Sequence, residues 1–422
     1  MSIAIYTLTS ELHDEKAVSA VTNEFLNSLK QCLAAEDDAN LDFDFKGSDY
    51  ADYGSHPLDL IYVRTGGTEG IFKRLLPTLQ KQSARPFYLL TSGKSNSLAA
   101  SMEILSFLRQ NGFKGEIIHG SPNYMSYRIR LLEKVGEGRA WLRGCRLGII
   151  GEPSDWLISS HTDKERVKAL FGIELIDIPM QKLLDVIAVT PINDNVDDKV
   201  QSSWTEPSVA FQLPFNVRSA LPGAMQIYDA LKVIVERYRL QGFTIRCFDL
   251  LTAVHNTGCL ALAKMNAEGM VAGCEGDVPA MISMMIVRSL IGVSGFQANP
   301  ASIDPSTGEM LFAHCTIPFN MVECYEFDTH FESGIGAGIR GYMKEGPVTI
   351  FKVSGDLDCH FAEEGYLMRN QAKPDLCRTQ QVIRLSNKSK TSYFLTAPIG
   401  NHHIIVPGHH RELLDEMIPT GV

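Results

Sequence analysis

The sequence predicts an α/β protein in which two successive Rossmann-like, flavodoxin-type α/β domains precede a mostly β C-terminal domain. Three observations lead there. Short β-branched runs alternate with helical stretches through the first third, the same style resumes after a charged stretch, and from about residue 295 the helices thin out while strand runs continue. A chain of 422 residues also exceeds one ordinary core, at about 150 residues per domain.

Taken in order, residues 2–7 read as a short strand. The runs at 60–63, 87–90 and 117–118 are separated by helical segments such as 97–109, an alternation that implies a parallel sheet covered on both faces. The turn at 62–70, with Gly66, Gly67 and Gly70, suggests a phosphate loop but lacks its lysine and glycine spacing. It reads as a tight strand-to-helix turn. The charged stretch 133–139 precedes the apolar run 146–151, which places a boundary near residue 144 and gives expected domains 1–144, 145–295 and 296–422. The second continues through 173–178, the helical pattern 225–238, and the runs 244–251 and 269–274. The apolar stretch 281–292 is interrupted by Arg288 and is too short for a membrane span, so it is expected to be a core helix. In the third domain the runs 310–313, 348–353, 382–385 and 403–406 are separated by Gly, Asp, Ser and Asn turns.

Composition narrows the function classes. With 45% hydrophobic and 21% charged residues the chain is expected to fold throughout. Its net charge of −10 and the absence of basic stripes argue against nucleic acid and anionic membranes as partners. Nine scattered cysteines without a CxxC pair fit a reducing compartment, and the start lacks a basic, apolar leader. A cytoplasmic location is expected.

Residues 269–279 carry the strongest chemical signal. An apolar run leads straight into Glu275, Gly276 and Asp277, and Pro279 opens a helix that Asp277 can cap. Glu275 thus falls at the carboxyl end of a parallel strand, where open α/β sheets bind ligands, although a carboxylate there can also serve only the helix dipole. His314 ends one strand run and His402 and His403 start another. A carboxylate and imidazoles brought together from separate domains suit a divalent cation, but His314 also reads as a core histidine. His402 and His403 point to opposite faces of a regular strand, so both cannot point into one site; His402 is the expected ligand and His403 a candidate substrate contact. His409 and His410 read as surface residues. Glu152 and Trp156, in the loop after the 146–151 run, offer a polar group and an aromatic face suited to holding a sugar; a structural loop is the alternative.

Glu275-Gly276-Asp277 before an apolar helix, then Gln297-Ala298-Asn299, and finally Asn401-His402 with Gly408-His409, resembles the metal-site pattern of L-fucose isomerase. The resemblance implies Glu275, Asn299 and His402 as metal ligands, with Glu275 and Asn299 also at the positions of the catalytic acids. Asn299 departs from the aspartate found in that family: it can ligate through its carbonyl oxygen but cannot transfer a proton. The segment around His314 resembles the part of L-arabinose isomerase that carries an additional metal histidine. The likeness is clearest over residues 244–422.

The resemblance leads to the expectation of an aldose–ketose sugar isomerase that uses Mn²⁺, or another divalent cation such as Mg²⁺, to stabilise an ene-diolate, with Glu275 moving the proton. A homo-oligomer, trimer or hexamer, is implied by the resemblance. Two other classes stay open: a sugar-binding or regulatory protein, and a lyase or epimerase acting on a related sugar acid.

Overall fold

The computed structural model describes residues 2–36, 42–83, 85–192 and 215–418. The chain divides into two compact units, Met1–Ala140 and Trp141–Val422.

The first unit contains strands β1 (Ser2–Leu8), β2 (Asp42–Gly47), β3 (Asp59–Val63), β4 (Phe87–Leu90) and β5 (Gly115–Ile118). They form one parallel sheet in the order β2-β1-β3-β4-β5. Helices α1 (Glu15–Glu36), α2 (Glu69–Gln82), α3 (Ser97–Gln110) and α4 (Pro122–Leu142) accompany it. On β3 the side chains alternate between two apolar clusters. Leu60 and Tyr62 pack with Leu26, Leu29 and Leu33 of α1 and with Met125, Ile129 and Leu132 of α4. Ile61 and Val63 pack with Phe72, Leu76 and Leu79 of α2 and with Ala100, Ile104 and Leu108 of α3. A strand buried on both faces needs apolar residues at every position, which is why it reads as an unbroken run. Residues 64–68 make the expected tight turn into α2, with Gly67 at φ 73° and the Thr68 hydroxyl donating to the Thr65 carbonyl.

The second unit begins with a parallel sheet of β6 (Arg146–Ile150), β7 (Glu174–Ile178), β8 (Gly242–Ile245) and β9 (Val271–Cys274), in the order β7-β6-β8-β9. Its helices are α5 (Lys164–Phe171), α6 (Met180–Val189), α7 (Phe215–Tyr238), α8 (Asp249–Ala253), α9 (Cys259–Ala267) and α10 (Val278–Ile291). Antiparallel structure follows: β10 (Phe296–Asp304), β11 (Glu309–His314), the hairpin β12 (Cys324–Asp328) and β13 (Gly338–Tyr342), then β14 (Gly346–Val353), β15 (His360–Gln371), β16 (Thr379–Leu385) and β17 (His403–Pro407). Six of these close into a barrel in the order β10-β11-β16-β15-β14-β17, because β17 pairs with both β14 and β10. Two short helices, α11 (Thr391–Thr396) and α12 (Arg411–Met417), complete the unit.

Helix α10 joins the two halves of this unit. It packs against β8 and β9 on one side and β14 and β17 on the other. Eleven of its fourteen residues are buried, so it is apolar all round, as the sequence predicts for a core helix. Asp277 caps it by accepting from the Ala280 N–H at 2.8 Å, and Gly292 ends it in the left-handed conformation. One apolar cluster runs from Ile150 through Phe243 and Phe296 to Ile405, spanning the parallel sheet and the barrel. All nine cysteines are free thiols. Among the described residues no helix is long and apolar enough to cross a membrane.

Candidate metal centre

Glu275 follows the last residue of β9 and adopts φ 63°, a left-handed conformation that costs a non-glycine residue energy and is tolerated where the surroundings hold it. Those surroundings are specific. The Glu275 carbonyl accepts from Ser154 N–H at 3.0 Å, and Gly276 N–H donates to the Ile245 carbonyl at 2.9 Å. Gly276 is also left-handed, and a Cβ there would lie 2.7 Å from the Glu152 carbonyl oxygen and 2.8 Å from Pro153 Cα. Two backbone segments meet at Gly276 with no room for a side chain.

Three expected ligands converge. Glu275, His314 and His402 are all buried, and each offers a ligand atom within 4.8 Å of the other two. His314 Nε2 lies 3.6 Å and His402 Nε2 3.4 Å from Glu275 Oε1. Each imidazole is anchored through its other nitrogen, His314 Nδ1 to Thr316 Oγ1 at 3.1 Å and His402 Nδ1 to Asp277 Oδ2 at 2.8 Å. This is the arrangement in which metal-binding histidines are usually held, with an outer partner fixing the ring and leaving the second nitrogen for the ion. His402 Nε2 is buried and, among the described residues, has no hydrogen-bond partner despite its nearness to Glu275.

The charges are balanced by one another. Burial pushes the Glu275 carboxyl upward, but the neighbouring imidazoles, His402 foremost, outweigh it and hold the group below the usual carboxylate range. Burial likewise opposes ionisation of Asp277, and the Lys352 ammonium followed by His402 reverses that effect. For His402 burial favours the neutral ring, yet Glu275 and Asp277 raise its pKa to about 9.

The remaining site residues fall into three groups. Asn299 lies on β10 opposite Ala313, beside His314 in the register. Its Oδ1 is buried and has no hydrogen-bond partner among the described residues. It lies two positions along β10 from Gln297, whose side chain binds the Cys274 backbone immediately before Glu275, so the two share a face of the strand. Trp156 Nε1 donates to Glu275 Oε2 at 2.6 Å, and its ring stands edge-on to Phe248, which in turn meets His330 edge-on. Glu152 is exposed and borders a cavity of about 920 Å³ with Pro153, Asp155, Arg246 and Val278, at the carboxyl ends of β6, β7 and β8. Glu275, His314 and His402 do not line that cavity; the 152–156 loop borders it and also carries Trp156 to Glu275. His403 takes no part in the cluster. Its Nε2 meets Tyr393 Oη at 3.0 Å, its Nδ1 meets the Asn401 carbonyl at 3.0 Å, and Phe361, Tyr393 and Phe394 surround its ring. Burial lowers its pKa to about 3, so it stays neutral.

Two participants lay beyond sequence reasoning. Asp277, read there as a cap, caps α10 and also holds His402. Lys352, inside a strand run, reaches both oxygens of Asp277 at 3.4 and 3.5 Å.

No family model matches the chain. It is similar to proteins named sulfoquinovose isomerase. Those of Priestia aryabhattai and Priestia megaterium (strain ATCC 12872 / QMB1551) are each 24% identical over 338 residues, covering 76% of this chain and 73% of the relative. That of Clostridium sp. (strain MSTE9) is 23% identical over 286 residues, covering 66% of this chain and 60% of its own length.

Proposed function

We propose that this chain is a divalent-cation-dependent aldose–ketose isomerase of carbohydrate metabolism, with Glu275, His314 and His402 as metal ligands and Asn299 contributing its amide oxygen. The observation that carries the reading is the convergence of three buried ligand atoms within 4.8 Å. One carboxylate oxygen and two imidazole nitrogens form a donor set that suits Mn²⁺ and related first-row ions, and the orphaned His402 Nε2 and Asn299 Oδ1 fit a bound cation. When bound, such a cation supplies Lewis-acid polarisation of the sugar carbonyl and its neighbouring hydroxyl. The protein's own groups do the rest. Glu275, buried and ionised at rest, takes the proton from one carbon and returns it to the adjacent one, while Trp156 orients its second oxygen and offers an aromatic wall for the sugar. Distant likeness to sulfoquinovose isomerases supports the reaction class and makes sulfoquinovose the first substrate to try, beside L-fucose and L-arabinose. The same reading carries a cytoplasmic homo-oligomer, trimer or hexamer, and domain limits at 144 and 295.

The test is a panel of aldoses followed by NMR. EDTA treatment is expected to abolish ketose formation and added Mn²⁺ to restore it. Undiminished turnover in metal-stripped protein would refute the proposal.

A further inference from the structure

Lys352 is 1% exposed, and a lysine that deep is costly unless its charge is met. It shares a face of β14 with Val348 and Ile350, both in the apolar cluster, so its stem lies among hydrocarbon while its ammonium reaches Asp277. Asp277 is itself fully buried. Its Oδ1 accepts from Ala280 N–H and from Lys352, and its Oδ2 from His402 Nδ1 and from Lys352. Lys352, Asp277, His402 and Glu275 thus form one continuous buried line that ends at the candidate metal centre.

We infer that Lys352 is a positioning residue for that centre: by bridging both oxygens it fixes the plane of the Asp277 carboxylate, which holds His402 by Nδ1 and aims Nε2 at Glu275. The inference rests on the metal-centre reading above. The helix alone leaves the orientation of Asp277 under-determined, because the Ala280 N–H engages only one oxygen. Lys352 reaches across from the barrel, so the end of α10 and the end of β17 are held in one geometry by a single carboxylate. Outer partners of metal-binding histidines act in this way.

The test is calorimetric titration of Mn²⁺ into five proteins: wild type, Lys352→Met, Lys352→Gln, Asp277→Asn, and the double variant Asp277→Asn with Lys352→Met. Thermal midpoints are measured on the same samples. Lys352→Met is expected to weaken Mn²⁺ binding about 10- to 100-fold, as loss of an outer partner does. Lys352→Gln, which keeps a donor, is expected to lose less. In the Asp277→Asn background, removing Lys352 is expected to change affinity by no more than about twofold, since its effect passes through Asp277. Should Lys352→Met fail to fold, Lys352→Gln and the pair in the Asp277→Asn background decide the question. Folded Lys352 variants that bind Mn²⁺ like wild type would overturn the inference, and so would an equal loss in both backgrounds. Wild type that binds no Mn²⁺ would instead defeat the metal-centre reading.

Discussion

Glu275 combines a strained backbone, a buried carboxylate and three polar neighbours, His314, His402 and Trp156. A carboxylate that served only the dipole of α10 would need none of these. Glu275→Gln keeps the volume and removes the charge, and is expected to lower turnover at least about 10²-fold while the thermal midpoint stays near that of wild type. A helix-start charge would instead cost at most about 1 kcal/mol of stability and leave turnover unchanged. Paired kinetics and thermal melts on one preparation separate the two. Glu275, His314 and His402 stood out because each stands at the end of an apolar run, while ligand roles for them were implied only by the resemblance, and His314 read equally as a core histidine. Lys352 was not, since one lysine in a strand run reads as the solvent-facing member of an alternating pattern. His403 shows the limit of spacing: adjacent histidines look alike in sequence, and strand alternation sends one to the carboxylates and the other among aromatic rings.

The element that organises the site is the β9 turn into α10. Two consecutive left-handed residues, Glu275 and Gly276, bring the chain against the 152–156 loop so that Trp156 reaches Glu275. Gly276→Ala sets a Cβ against the backbone of Glu152 and Pro153 and places a non-glycine residue at φ 69°. It is expected to destabilise the protein by roughly 1–3 kcal/mol and to weaken Mn²⁺ binding together with it. An unchanged melt and unchanged affinity would show that the close approach is not required. At this scale the parallel strands and α10 were readable, being continuous apolar runs. The 12-residue β15 was not, because its inner face alternates Phe361 and Leu367 with the buried Glu363 and Gly365, which hides the period of two. Barrel closure is beyond local reading, as it depends on β17 pairing with two strands remote from it in sequence.

For the whole molecule, the two-unit division places all three converging ligands in the second unit, one just after its parallel sheet and two at strand ends of its barrel, His314 closing β11 and His402 just before β17. Alternation of strands and helices, followed by loss of helix after about residue 295, made this general order legible from composition and period. The meeting of Glu275 with His314 and His402 was legible only as an expectation, since it is set by how α10 is sandwiched between sheet and barrel. The central claim is that this junction holds a divalent cation, and anomalous X-ray scattering from Mn²⁺-soaked crystals tests it most directly. An anomalous peak bonded to Glu275, His314 and His402 Nε2 is the predicted result; fully soaked crystals with no peak there, or with manganese bound only elsewhere, would contradict it.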